Sequence, residues 1–290
     1  MTVAISLKVH EGVVLAADSA ATLMARLPDG TSGVVNVYDN ANKIVNLYKG
    51  LPLGVITWGA AAIGPQSINT IHKNLRDILT GDSPAPEDME GGLNRDDYQV
   101  CEVAKRCRQY IYEHLYENVF RDWSDAPAIG MIVAGYSAGG SHAEEYQIEM
   151  SGAGCPEPVT ARPGPECGVT VGGQPEAVSR LIFGVDPRLA TVLEQHLGVP
   201  PDQAAQAAQV IQQQLAIPVV QDAMPFQDAL DLGEFLVDLT IRLTRFMPGP
   251  PTVGGPIEVA GITKHEGFKW VKRKHYYQGD LNPWGARTSA

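Results

Sequence analysis

Thr2 is the first residue whose type and position could support catalysis, because removal of Met1 would make it the N-terminal residue. A terminal threonine carries a hydroxyl and an α-amine on the same residue. An α-amine has a pKa of about 7.7 to 8.0, so near neutral pH a substantial part of it is unprotonated and can accept the hydroxyl proton. The two groups can therefore act together as nucleophile and base. Many chains begin Met-Thr without such chemistry, so this interpretation needs partner residues.

Two predicted strands return an acidic residue to the N-terminus. Residues 2–9 alternate between two faces with a period of two, which is typical of a strand, and a turn over residues 10–12 precedes a second apolar strand over residues 13–19. Pairing across a turn centred on its middle residue places Asp18 beside the fourth residue of the chain. The sequence therefore predicts a carboxylate close to Thr2.

Asp18 has two interpretations. An aspartate at the end of a strand is commonly a turn or cap residue. This one follows an apolar segment, however, and a buried carboxylate needs a partner. Lys43, which begins another apolar segment, is the nearest basic candidate. A paired ammonium would lower the pKa of the Thr2 hydroxyl electrostatically, with the carboxylate holding that ammonium in place.

Composition excludes several classes of function. The 290 residues carry 33 acidic and 22 basic side chains, a net charge of −11, which is the wrong sign for a nucleic-acid partner. No segment has the roughly 18 consecutive apolar residues of a membrane span, and the N-terminal segment lacks the apolar block of a secretion signal. We therefore expect a cytoplasmic protein without a membrane partner. No C-x-x-C or H-E-x-x-H spacing occurs, so neither a metal nor another cofactor is expected.

The order of predicted elements is strands, two helices, strands, helices and strands. Such grouping favours antiparallel sheets covered by helices over a parallel sheet. No linker divides the chain, so we expect one domain over residues 1–277. An extra helical insertion is expected at about 185–222, and a flexible tail over 278–290.

Several of these segments together resemble a proteasome β-type subunit, in a bacterial proteasome-like form. They are Thr2, the sequence GVVLAADSAAT from Gly12 to Thr22, the tripeptide Asn42-Lys43-Ile44, a glycine–alanine turn, and the segment Gly255–Thr263 before a final hairpin. The resemblance implies an N-terminal-nucleophile hydrolase with a four-layer αββα sandwich, in which two antiparallel sheets are flanked by helices. It also implies a threonine-type endopeptidase that forms a homo-oligomeric ring, cleaves peptides or unfolded proteins, and works with an ATP-dependent unfoldase.

The resemblance assigns roles residue by residue. Thr2 would be the nucleophile and, through its α-amine, the general base, while Asp18 and Lys43 would form the activating pair. Gly59 would donate its backbone N–H to the tetrahedral intermediate. The first specificity pocket would be small and uncharged, favouring apolar side chains, and its lining would comprise Ala21, Val45, Thr57 and Ala61.

Three features of the sequence depart from the family pattern. Gly172 and Gly173 stand where the family has a serine close to the nucleophile's amine, and Pro250 and Val253 replace an aspartate and a serine. Ala20 replaces the basic residue that usually follows the aspartate. Two alternatives therefore stay open: a catalytically impaired or inactive shell or scaffold subunit, and an amidase that acts on small molecules.

Overall fold

The structure is a computed structural model that describes residues 2–26, 32–121, 123, 125–249 and 251–274. Its strands are β1 (Val3–Val9), β2 (Gly12–Ala17), β3 (Ala21–Arg26), β4 (Ser32–Tyr38), β5 (Ile44–Asn46), β6 (Leu53–Gly59), β7 (Ala62–Ile63), β8 (Gln66–Ser67), β9 (Ile129–Gly135), β10 (Glu144–Met150), β11 (Val159–Thr160), β12 (Gly168–Gly173), β13 (Glu258–Thr263) and β14 (Gly267–Lys272). Its helices are α1 (Ile68–Thr80), α2 (Val100–Arg108), α3 (Glu117–Phe120), α4 (Glu176–Ile182), α5 (Leu189–Leu197), α6 (Pro201–Leu215) and α7 (Phe226–Arg245), and a π-helical segment, Gln109–Tyr116, joins α2 to α3.

Two five-stranded antiparallel sheets contain most of the strands. The first has the order β12-β1-β2-β13-β14, and the second has the order β11-β10-β9-β6-β5. Apolar side chains from α4 and α7 pack with those of the first sheet, whereas side chains from α1 and α2 pack with those of the second. A third apolar cluster joins residues of the two sheets, including Leu15 and Ile132.

The predicted four-layer sandwich of two sheets is wrong, because the structure has four sheets. Strands β3 and β4 form a separate two-stranded sheet, and β7 and β8 form another. In the segment between Asp18 and Lys43, Ala21–Arg26 pairs with Ser32–Tyr38 in antiparallel orientation. Within the predicted insertion at 185–222, α5 has no buried residue and α6 buries only Ala204, so neither helix covers a sheet as a layer would.

The N-terminal hairpin forms with a register one residue shorter than predicted. Ala4 pairs with Ala17, and Val9 pairs with Gly12, so the turn consists of two residues rather than three. Asp18 consequently lies one position beyond the last pair, where its backbone N–H faces the carbonyl oxygen of Val3 at 3.4 Å. The register therefore leaves the Asp18 side chain next to the start of β1.

Strand β1 is buried on both faces, although its alternating pattern predicted a half-buried strand. Its odd-numbered residues pack under α4 and α7. Its even-numbered residues face the second sheet, where the Ser6 hydroxyl donates to Glu145 over 2.5 Å and Lys8 Nζ donates to the Gly164 carbonyl over 2.7 Å. Polar side chains occur at these positions because each has a partner, which the sequence pattern alone does not reveal.

Helices α1 and α7 show why the sequence folds in this way around the sheets. The Ser67 hydroxyl caps α1 by accepting from the Thr70 backbone N–H, and Gly81 ends the helix with a φ of +80°. In α7, Gly233 permits close approach to β2, because a Cβ there would lie 3.1 Å from Val14 Cγ1. None of the helices that the structure describes is long and apolar enough to cross a membrane. The predicted tail at 278–290 lies outside the described residues.

Candidate active site

The Asp18 carboxylate lies against the backbone of the first residues of β1. Its Oδ1 accepts a hydrogen bond from the Val3 backbone N–H over 3.1 Å, and its side chain is fully buried. Because Val3 follows Thr2 directly, this bond fixes the direction in which the chain leads to Thr2. The predicted proximity of Asp18 to the N-terminus is therefore present in the structure, through the backbone of the neighbouring residue.

Lys43 is the ionic partner of Asp18. Lys43 Nζ lies 2.5 Å from Asp18 Oδ1, and both side chains are almost completely inaccessible to solvent. The other carboxylate oxygen, Oδ2, accepts from the backbone N–H groups of Ala20 and Gly254, each over 3.0 Å. Each carboxylate oxygen thus has two donors. A buried ion pair is tolerated only when its remaining hydrogen-bonding capacity is satisfied in this way.

Burial lowers the pKa of Lys43 from 10.5 to about 8, although the adjacent Asp18 carboxylate opposes this shift. Desolvation disfavours the charged form of an amine, which explains the direction. An amine with this pKa changes its protonation state just above neutral pH. Lys43 can therefore either present a positive charge or exchange a proton in the range where enzymes usually work.

Thr2 is held by the end of strand β12. The Gln174 backbone N–H donates to the Thr2 carbonyl oxygen over 2.8 Å. Gly173 has a φ of +85°, and a Cβ at this position would lie 1.9 Å from the Thr2 carbonyl oxygen. Only glycine satisfies both conditions. Gly173 is one of the positions at which the sequence departs from the resembled family. Glycine is needed there because it lets β12 approach the backbone of Thr2.

Thr2 and Lys43 line the same cavity, which has a volume of about 200 Å³. Three of the four residues predicted for the specificity pocket, Ala21, Thr57 and Ala61, also line it. Val45 does not. It is buried in the apolar cluster that includes residues of α1 and α2, because its side chain faces the helices rather than the cavity.

The rest of the lining of this cavity is more polar than expected. It includes the hydroxyl of Ser67 and the side chains of Asn40, Asn42 and Asn69. Of the described residues in the lining, Lys43 alone is charged, and its ammonium is paired with Asp18. The cavity is thus small and without an unpaired charge, but amide and hydroxyl groups form much of its wall.

Gly59 ends β6 and lines the cavity together with Thr2. Its φ is +94°, and a Cβ would lie 2.2 Å from the Ala128 carbonyl oxygen. A side chain is therefore excluded by both backbone conformation and space. The absence of a side chain leaves the backbone of Gly59 accessible beside Thr2, which is the arrangement that an N–H donor to a reaction intermediate requires.

Trp58 is a residue of this site that sequence reasoning did not identify. Its indole ring lies between Gly130 of β9 and Gly172 of β12, where a Cβ would come within 2.2 Å and 2.4 Å of ring atoms, respectively. Glycine is therefore required at position 172 for a steric reason, since any side chain there would collide with the indole. A tryptophan directly before Gly59, together with two glycines in distant strands, was the available signal, but it depends on contacts between sheets.

Lys274 and Glu258 form a second buried ion pair next to the first. Lys274 Nζ lies 3.1 Å from Glu258 Oε2 and donates to the Ser19 hydroxyl and the Ala41 carbonyl oxygen, each over 2.6 Å. Lys274 follows the exposed terminal strand β14, but its side chain turns inward and is almost completely buried. Burial lowers the pKa of Lys274 as well. The signal that could have found this pair is Glu258, an acid within an apolar strand.

The auxiliary positions before β13 offer little polar chemistry. Thr252 and Val253 are buried, with 4% and 2% of their surfaces exposed, and Pro250 lies outside the described residues. Over the ranges that the structure describes, no cluster of three or more histidine, cysteine, aspartate or glutamate side chains could hold a metal ion. The chemistry of the site therefore has to be argued from Thr2, the Asp18–Lys43 pair and backbone groups.

No protein-family model matches the chain, and no curated protein matches it. One solved structure that aligns with the chain is an Anbu (Gly-1) mutant from Hyphomicrobium sp. strain MC1. The alignment covers 94% of this chain and 86% of that chain, with 14% sequence identity and a TM-score of 0.49. A likeness at this level carries no argument about the activity of the present chain.

The assignment to the proteasome β-type subunit family is wrong, because no family model supports it and the aligned structure is named Anbu. The resemblance depended on a few residues near the two ends of the chain, such as Thr2, Asp18 and the final hairpin. Short segments of this kind fix a local arrangement without fixing family membership. What the site can do must therefore follow from its own contacts.

Proposed function

We propose that this chain is a threonine-type amide hydrolase in which Thr2, freed by removal of Met1, is the nucleophile that cleaves peptide bonds. One observation carries the proposal: Thr2 lines a cavity together with Lys43, whose ammonium lies 2.5 Å from the fully buried Asp18 carboxylate. A buried, perturbed lysine beside a candidate nucleophile in a cavity is typical of catalytic sites.

In the proposed mechanism, the Thr2 hydroxyl attacks the carbonyl carbon of the amide, and its proton moves to the α-amine of the same residue. The tetrahedral intermediate carries its negative charge on the former carbonyl oxygen, which the Gly59 backbone N–H stabilises. Collapse of the intermediate breaks the C–N bond, and the leaving amine takes the proton from the α-amine. Water then hydrolyses the ester on Thr2, which releases the acid and restores the hydroxyl.

Lys43 acts by charge in this mechanism. Its ammonium stabilises the developing alkoxide of Thr2, and Asp18 holds it in position through the short ion pair. The carboxylate is in turn fixed by three backbone N–H donors, those of Val3, Ala20 and Gly254. Because these contacts already hold the ammonium in place, it does not have to reorient during the reaction. Electrostatic catalysis lowers the barrier most when the charges are preorganised in this way.

The proposal is tested by combining N-terminal mass with peptide cleavage. We expect the intact mass of purified protein to lack Met1, and mixed peptide libraries to be cleaved. Thr2→Ser should retain cleavage because it keeps a hydroxyl, whereas Thr2→Ala should abolish it with an unchanged circular dichroism spectrum. A fully processed, folded wild-type protein that cleaves no peptide or small amide contradicts the proposal.

Assembly into a homo-oligomeric ring, located in the cytoplasm, is part of the same proposal. Its support is the exposed apolar surface of α5 and α6, where Val192, Leu197, Val210 and Leu215 are 46% to 69% exposed. An ATP-dependent unfoldase would be required only for folded substrates that cannot enter a closed chamber. Mass photometry checks assembly, because a monomer that hydrolyses small amides would instead indicate the small-molecule amidase.

A second candidate, a scaffold subunit without activity, is favoured by the packing of Trp58 over Gly172. The indole occupies space that a proton-transferring serine would need. If this alternative is correct, Thr2→Ala will leave both the oligomeric mass and the phenotype of cells that carry the variant unchanged. Cleavage by the wild-type protein that is lost in Thr2→Ala excludes it.

A further inference from the structure

A second cavity, of about 690 Å³, also has Thr2 in its lining. It shares Thr2, Trp58 and Gly59 with the first cavity, so the two cavities adjoin at these residues. A nucleophile where two cavities adjoin can reach a bond whose two sides extend into different cavities. Each cavity would therefore hold a different part of the substrate.

The two cavities differ in size. The first, of about 200 Å³, can enclose little more than one side chain, while the second falls within the 300 to 1,000 Å³ range typical of ligand pockets. Part of the wall of the second cavity is backbone without bulky side chains, at Gly130, Ala153 and Gly154. It can accommodate a length of peptide chain, and it also offers the apolar side chains of Ile129 and Met150.

The cavities also differ in charge. Among the described residues that line the second cavity, Glu149 alone carries a charge. Its side chain is exposed, and its Oε1 accepts a hydrogen bond from the Gln147 amide over 2.9 Å, so it has no cationic partner among the hydrogen bonds and ion pairs of the described residues. The nearby Arg108 guanidinium donates to the backbone carbonyl oxygens of Cys155 and Pro156 in the lining, and its charge is paired with the side chains of Glu113 and Glu157.

We infer that the second cavity binds the leaving-group side of the cleaved bond, and that Glu149 selects a lysine or arginine side chain in the residue after the cut. This inference rests on the proposed function. The smaller cavity then receives the side chain before the cut, against its uncharged amide and hydroxyl wall. A cation in the larger cavity meets an unpaired carboxylate, whereas a carboxylate there meets a like charge.

The inference is tested with internally quenched peptides that are identical except for the residue after the cut, which is lysine, glutamine or glutamate. We expect the wild-type protein to prefer lysine over glutamine in kcat/KM by about two- to five-fold, the range of an exposed charge pair. Glu149→Gln should abolish this preference, and Glu149→Lys should change it to glutamate. Glu166→Gln is the matched control, because Glu166 is an exposed acid outside the lining of both cavities.

A second substrate separates this inference from the proposed function. Amides of a small fluorescent amine carry no residue after the cut, so Glu149→Gln should cleave them at the wild-type rate. If peptides are cleaved but the preference is absent, or persists in Glu149→Gln, the role of Glu149 is overturned while the proposed function stands. If the charge preference concerns the residue before the cut, the assignment of the two cavities is overturned. If no amide is cleaved at all, both proposals fail together.

Discussion

Buried charge occurs at both ends of strand β1, but in different surroundings. At one end, Asp18 pairs with Lys43 beside a cavity that Thr2 also lines. At the other end, Glu145 accepts from Ser6 and pairs with Arg162, and none of these three residues lines either cavity next to Thr2. Both networks are well satisfied. A buried ion pair therefore does not by itself indicate function, and the cavity lined by Thr2 is what distinguishes the two ends.

The largest difference between the two ends of β1 is expected when the buried lysine next to each end is replaced. Lys43→Met should lower kcat/KM for peptide cleavage by about 10²- to 10³-fold, since it removes the charge that stabilises the Thr2 alkoxide. Lys8→Met removes a buried ammonium that donates to the Gly164 carbonyl oxygen and should leave kcat/KM within about twofold. Steady-state kinetics at 25 °C, with circular dichroism to confirm folding, measures both. Equal losses in the two variants would remove the distinction between the ends.

The glycines at the two ends of β12 allow a second comparison, between a position next to Thr2 and one far from it. Gly173→Ala should destabilise the protein by about 2 to 4 kcal/mol and reduce cleavage, because the Cβ would lie 1.9 Å from the Thr2 carbonyl oxygen at a φ of +85°. Gly168→Ala is also strained, at a φ of +155°, but it should cost less because its Cβ would meet the Arg162 side chain, at 2.7 Å, rather than backbone atoms. Urea unfolding gives both free energies of unfolding. A larger effect from Gly168→Ala would contradict the close packing on Thr2.

The pH dependence of cleavage identifies the protonation state in which Lys43 works. If the Thr2 α-amine is the base and the Lys43 ammonium is required, kcat/KM should first rise as the α-amine loses its proton and should then fall as pH rises above the Lys43 pKa of about 8. Lys43→Arg should be slower but should lose this fall, because a guanidinium stays charged throughout the range. Measuring kcat/KM from pH 6 to 10 for both proteins tests this. A fall of the same position and size in Lys43→Arg would assign it to another group.

The smallest effect is expected from the second ion pair. The Lys274 ammonium lowers the pKa of Lys43 by repulsion, so Lys274→Met should raise that pKa and move the fall in kcat/KM to higher pH. Lys269→Met, which removes an exposed lysine of the same terminal segment, is the control and should not move it. A shift to lower pH in Lys274→Met would show that the two ammonium groups do not interact as argued.

The Asp18–Lys43 pair was predictable because it depends on local patterns. A strand, a short turn and a second strand bring Asp18 back to the N-terminus even though the register differs by one residue. An acid in an apolar strand then requires a cation, and few are available nearby. Physical rules for buried charge were therefore sufficient to propose this part of the site from the sequence.

The contributions of Trp58, Lys274 and Val45 were not predictable in the same way. Trp58 depends on Gly130 and Gly172 of two different sheets, and Lys274 turns inward only because Glu258 and Ala41 meet at that position. Val45 was placed in the pocket by analogy, whereas the direction of its side chain depends on how the helices pack on the second sheet. Contacts between distant segments leave no periodic signal in the sequence.

Covalent labelling with a hydroxyl-reactive β-lactone, followed by peptide mapping, shows whether Thr2 is a nucleophile activated by its neighbours. We expect one adduct, an ester on an N-terminal Thr2. It should form in the wild-type protein, form far more slowly in Lys43→Met, and be absent in Thr2→Ala. Processed wild-type protein that acquires no adduct on Thr2, or that is labelled equally fast in Lys43→Met, would contradict the proposed role of Thr2.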